Sequence, residues 1–81
     1  MAYQVIHDAS FKAAQAKVLS PKMDAHYLSG VTWTLEHDPH VGKKISPNVW
    51  IIKVVLAPIV VSIYYAINEA KKTVHLLDLT A

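Results

Sequence analysis

The sequence predicts an α+β domain of the order β-α-α-β-β-β, in which two short antiparallel helices pack on one face of a mainly antiparallel four-stranded sheet. Two observations lead there. Apolar residues recur at helical spacing through the first half of the chain, and from Asn48 onward the composition changes to β-branched runs of strand length. Between the two halves stands a helix end, Thr34-Leu35-Glu36-His37-Asp38-Pro39, followed by the basic loop His40-Val41-Gly42-Lys43-Lys44-Ile45.

Each element has its own signal. Tyr3-Gln4-Val5-Ile6-His7 forms a first strand, and Asp8 and Ser10 offer helix-cap chemistry after it. Phe11, Ala14, Val18 and Leu19 mark the apolar face of a helix near residues 10–19. Ser20-Pro21 restarts the chain, with proline where its missing N–H costs nothing. Met23, Tyr27, Gly30, Val31 and Leu35 then trace one face of a helix near 21–37, which must end before Pro39 because the residue preceding proline is pushed out of the α region. Val49–Leu56 and Ile59–Ile67 are too β-branched for helices and read as successive strands, and Thr73–Leu79 makes the last strand. Asn68–Lys72 is a polar turn of hairpin length, whereas Ala57-Pro58 has no glycine or asparagine to declare its type and leaves that register open.

Trp50, Ile52 and Val54 are expected to face the helices, or the alternate set if the register slips. Both faces of the central strands are apolar, although an antiparallel sheet usually shows water a polar one. The second face is therefore expected to bind something, with solvation by tyrosine edges, Ser62 and Lys53 as the plainer explanation.

A chain of 81 residues is read as one domain, 1–81, and the 53% of hydrophobic residues is high for that size. A partner protein or a second copy is expected to cover the excess, giving a homo- or hetero-oligomer. All eight basic residues are lysine, against six acidic ones, so the formal charge of +2 is weak evidence for an anionic partner. No cysteine, signal peptide or uninterrupted membrane-length apolar run is present, and a cytoplasmic protein without membrane attachment is expected.

Three sets of side chains carry possible chemistry. Lys43, Lys44 and Lys53 can form a phosphate-binding patch, or can serve solubility alone. Tyr64 and His75 on neighbouring strands can act as acid or base if they share an open face; a solvent-facing histidine without an orienting partner is the bland alternative. His37 and His40, with His26 and His7, suggest a metal, but a helix-terminating proline between ligands does not make them converge, and no metal or other cofactor is assigned. His37 is better placed to meet the helix dipole. Trp33 and Trp50 are expected in the core or at a partner interface. No nucleophile elbow, glycine-rich phosphate loop or catalytic carboxylate pair is found.

The phrase Leu35-Glu36-His37-Asp38-Pro39-His40-Val41-Gly42-Lys43-Lys44-Ile45 and the later Tyr65-Ala66-Ile67, set in this order of elements, resemble the RelE/ParE superfamily of bacterial toxin–antitoxin toxins. The resemblance covers nearly the whole chain. It implies a compact toxin held by an antitoxin segment, acting either as a metal-independent endoribonuclease on ribosome-bound messenger RNA or against DNA gyrase. Lys43, Lys44 and Lys53 match in kind the basic positions with which that family binds nucleic acid, and beside them Lys53, Tyr64 and His75 are the catalytic candidates. Two departures stand out: Ser62 lies near the place where cleaving members carry arginine, and the end Leu77-Asp78-Leu79-Thr80-Ala81 lacks their basic or aromatic tail. Lysine is a point charge and not a bidentate clamp, so cleavage is expected to be weak. The alternative is a non-enzymatic module of the same fold, gyrase-directed or regulatory.

Overall fold

Two helices lie against one face of a five-stranded sheet, and the strand order brings the two ends of the chain side by side. The computed structural model describes residues 3–18, 21–56 and 59–81, with the backbone alone at 21–28 and 56. Its elements run β1 (Gln4–His7), α1 (Ala9–Val18), α2 (Pro21–His37), a short 3₁₀ helix (Pro39–Val41), β2 (Lys43–Ser46), β3 (Val49–Leu56), β4 (Ile59–Asn68) and β5 (Thr73–Thr80). The sheet order is β1-β5-β4-β3-β2, with β1 parallel to β5 and every other pair antiparallel.

The pairing of β3 with β4, from Trp50↔Tyr65 to Leu56↔Ile59, fixes which side chains meet the helices. Val61, Ile63 and Tyr65 of β4 are fully buried, and Trp50, Ile52 and Val54 pack beside them, so the expected face is the one used. Phe11 of α1 and Val31 and Leu35 of α2 close the core from the helical side. On β5 the buried residues are Val74, Leu76 and Leu79, a break in strict alternation. A bulge is the cause: Tyr65 pairs with Leu76 and Tyr64 with Asp78, leaving Leu77 as the extra residue. Its carbonyl accepts a hydrogen bond from the Ser10 hydroxyl at 2.6 Å, which ties α1 to the bulge. Each such fully buried aliphatic or aromatic side chain contributes roughly 1.5–3 kcal/mol.

The structure departs from the sequence reading in two places, the strand count and Gly30. The sheet has five strands and not four, because Lys43–Ser46 pairs with β3 across the Pro47-Asn48 turn. A four-residue lysine-bearing segment shows no two-residue apolar alternation, so only the tertiary need to cover the outer edge of β3 makes it a strand. Helix α2 runs Pro21–His37, the span that the apolar spacing and Pro39 predicted. Gly30, expected on the buried face of α2, is exposed and has no neighbour within 4 Å of where a Cβ would stand. Helix α1 is Ala9–Val18, with Phe11, Ala14 and Val18 turned to the core as expected. Leu19, the Ser20 cap and the Ala57-Pro58 turn lie outside the described residues, as do the side chains of Met23 and Tyr27.

Candidate functional site

The face of the sheet away from the helices gathers most of the residues with possible chemistry. Strand alternation places Lys53, opposite Ser62, and Tyr64, opposite Ile51, on that face. Ile51 also pairs with Lys43, so Lys43, Ile51 and Tyr64 form one cross-strand row in which the two outer Cα atoms are about 10 Å apart. Tyr64 continues the row into Asp78 of β5, and one row further along stand Ala66 and His75. Lys44 pairs with Trp50 and points the other way, so the expected three-lysine patch is reduced to Lys43 and Lys53 on this face. Had the segment remained a loop, both lysines of the pair could have shared a side; as a strand it separates them.

His75 has an orienting partner. Its Nδ1 lies 3.3 Å from the Asp8 carboxylate, and its Nε2 lies 3.4 Å from the Thr73 hydroxyl. The two residues are 67 positions apart in sequence and meet because β1 runs parallel to β5, with Ile6 opposite His75. Sequence reading missed Asp8 in this role: a helix-cap residue after the first strand carries no sign of which distant strand will lie beside it. His75 also borders an open depression of about 400 Å³, shared with Pro47, Asn48, Trp50, Asn68 and Glu69.

The rim of the face is held by a buried phenol. Tyr65 donates its hydroxyl proton to the Pro39 carbonyl at 2.8 Å and accepts from the Gly42 N–H at 3.1 Å, pinning the segment that leads into Lys43. Burial, reinforced by Asp38, raises its pKa above the ordinary 10.0 even though the Gly42 N–H works against the shift. Any Cβ at Gly42 would run into the Tyr65 hydroxyl and the Ile51 carbonyl, so only glycine permits this approach. Nearby, Glu69 accepts from the Tyr3 hydroxyl at 2.8 Å and meets His40 at 2.9 Å and Lys72 at 3.9 Å. The Tyr3 hydrogen bond leads the interactions that hold the Glu69 carboxyl below its ordinary 4.5.

The histidines are thus dispersed. His40 turns to Glu69, His37 donates from Nδ1 to the Trp33 carbonyl at 2.7 Å near the end of α2, and His7 packs on Phe11. Only the backbone is described at His26, and among the described residues no three His, Asp or Glu converge on a point. Trp50 belongs to the core margin, stacked beside Tyr65, whereas Trp33 is 62% exposed on α2 and stacks on His37. The apolar character expected of the open face is present: Val55 at its far end is 72% exposed and Val60 48%. Among the described residues no helix is long and apolar enough to cross a membrane.

This architecture recurs in solved toxin structures. The Mycobacterium tuberculosis toxin–antitoxin complex RelBE2 contains a chain that matches with a TM-score of 0.80 at 19% identity, covering 98% of this chain and 96% of that one. A double arginine-to-alanine variant of Escherichia coli toxin RelE in the free state matches with a TM-score of 0.76 at 17% identity, covering 98% of this chain and 82% of that one. The archaeal RelE–RelB complex of Pyrococcus horikoshii gives a TM-score of 0.63 at 19% identity, covering 99% and 94%. The chain has the RelE toxin fold. No protein-family model matches the sequence, and no curated protein matches it.

Proposed function

We propose that this chain is the toxin component of a cytoplasmic toxin–antitoxin pair, and that its open sheet face binds messenger RNA and cleaves it slowly without a metal. One observation carries the reading: the chain matches RelE toxin structures along nearly its whole length, and two of those structures are complexes with an antitoxin. The apolar margin of the open face, where Val55 and Val60 are exposed, gives an antitoxin segment surface to cover.

The chemistry follows from what the face presents. Cleavage by a ribose 2′-OH needs a group to take its proton, a group to protonate the departing 5′-oxygen, and positive charge beside the phosphorus centre. His75 and Tyr64 supply proton-transfer groups, and Lys53 and Lys43 supply charge. Lysine cannot clamp two phosphate oxygens as arginine does, and the chain has no arginine, so the rate is expected to be low. Asp78 opposite Tyr64 adds negative charge to the same row. These two observations favour, as a second reading, a non-enzymatic module of the same fold that acts through protein binding, either on gyrase or in regulation.

Induced expression of the chain should arrest growth, and co-expression of the protein encoded beside it should relieve the arrest by forming a complex that co-purifies with the chain. Growth unaffected by the chain alone, with no complex formed, would remove the toxin reading.

A further inference from the structure

We infer that Asp8 and His75 form a carboxylate–imidazole pair in which Asp8, as a positioning residue, fixes the His75 tautomer that presents Nε2 as a proton acceptor at the depression beside Trp50. The inference rests on the RNA-cleavage reading above for its substrate, an RNA ribose, but not for its geometry.

The backbone holds Asp8 in place from both sides. Its N–H donates to the Leu76 carbonyl at 3.1 Å, extending the parallel β1–β5 ladder by one residue, and its own carbonyl accepts from the Lys12 N–H at 3.1 Å as α1 begins. The Ser10 hydroxyl bonded to Leu77 fastens the same corner once more. Aspartate immediately before a helix ordinarily turns its carboxylate onto the first-turn N–H groups. Here the carboxylate turns to His75 Nδ1. An ionised carboxylate only accepts, so in the neutral imidazole the proton sits on Nδ1 and the lone pair on Nε2. Each side chain of the pair is 36% exposed, sheltered yet open to a ligand. The Thr73 hydroxyl near Nε2 is a rotatable donor that a substrate hydroxyl can replace.

The other ionisable groups around His75 do not compete for this role. Glu69 borders the same depression but is engaged by Tyr3, His40 and Lys72. Asp78, on the same strand as His75, accepts from its neighbour's N–H, that of Leu79, at 2.8 Å. Tyr64 lies on the adjacent strand, diagonal to His75.

In the step assigned to the pair, the 2′-hydroxyl proton passes to Nε2 while the 2′-oxygen forms its bond to phosphorus. The bond from phosphorus to the 5′-oxygen breaks, and that oxygen takes a proton from the Tyr64 hydroxyl. Tyr64 regains its proton from solvent as the imidazolium returns one, so the products are a 2′,3′-cyclic phosphate and a 5′-hydroxyl. Asp8 stabilises the imidazolium while it exists and does not itself change protonation.

The test uses the whole chain with Asp8→Asn, His75→Ala and the double variant. Nitrogen-resolved NMR of the imidazole should show His75 with its proton on Nδ1 in the parent chain and a redistribution toward Nε2 in Asp8→Asn. With an oligoribonucleotide, Asp8→Asn should lower kcat by about tenfold to a hundredfold with KM little changed. Adding it to His75→Ala should change nothing further, because Asp8 acts through His75. An identical tautomer signal in parent and Asp8→Asn, or an equal loss from Asp8→Asn with and without His75, would overturn the pair. The expected tautomer signal in a chain that cleaves no RNA would sustain the pair and remove instead the nuclease reading.

Discussion

Tyr65 is the residue on which the shape of the site depends most. It fills the core and also makes two hydrogen bonds that hold the approach to Lys43. Tyr65→Phe keeps the ring but strands the Pro39 carbonyl, and is expected to cost about 1–3 kcal/mol in chemical unfolding. Gly42→Ala should cost a similar 1–3 kcal/mol, since the clash is with a backbone carbonyl as well as a side chain. If either substitution left stability unchanged, the rim would not be pinned as described. His7 gives a pH signature at the same scale. Burial first, and then Lys12, holds its imidazole below the ordinary 6.5, so the unfolded chain binds that proton more readily than the folded one. Stability present above pH 6.5 is therefore lost as pH falls through the lower folded value. Glu69, also held below its ordinary 4.5, loses its contribution further down, in the same direction. Thermal unfolding should show Tm falling below pH 6.5, and His7→Gln should flatten the first part of that fall. An unchanged profile in His7→Gln would contradict the assignment.

At the scale of elements, the helices and the three long strands were legible because each repeats a period over many residues. Phe11, Val31 and Leu35 on one side and the Trp50/Ile52/Val54 set on the other have the partners that periodicity implied. What was illegible depends on pairing. Strand β2 has four residues, with two lysines and a register shift between Lys44 and Ser46 that suit an exposed edge and hide its strand character. The Leu77 bulge could not be read from Thr73–Leu79, yet it is what turns Leu79 inward. Asp8 was read as a helix cap, and only the parallel β1–β5 contact turns it to His75. The candidate site was accordingly half legible: Lys53, Tyr64 and His75 stand on one face, which the sequence left as a condition, while Lys44 faces the other way and Asp8 lies beside His75. Phe11 carries the contact of α1 with this sheet, and Phe11→Ala is expected to destabilise the fold by about 3–5 kcal/mol in denaturant titration. A loss below about 1 kcal/mol would mean that α1 is not seated as described.

For the whole molecule, one face of the sheet is covered by helices and the other is left with lysines, a tyrosine, an acid–base pair and exposed valines. Part of the apolar excess of the composition, Val55 and Val60, thus stands on the open face where a partner can reach it. Binding of a partner to the native state alone raises apparent stability in proportion to the logarithm of its concentration. The isolated chain should therefore either self-associate at high concentration or gain markedly in Tm on mixing with the protein encoded beside it. A stable monomer whose Tm that protein leaves unmoved would argue against a covered face. The most direct measurement of the central claim is the mapping of messenger-RNA ends in a translating extract, comparing the parent chain with a Lys43→Ala/Lys53→Ala variant. The claim predicts slow cleavage by the parent and loss of cleavage in the variant, with purified chain still cutting RNA in EDTA. Intact messenger RNA accompanied by gyrase-dependent DNA breaks, or cleavage that survives loss of both lysines, would contradict it.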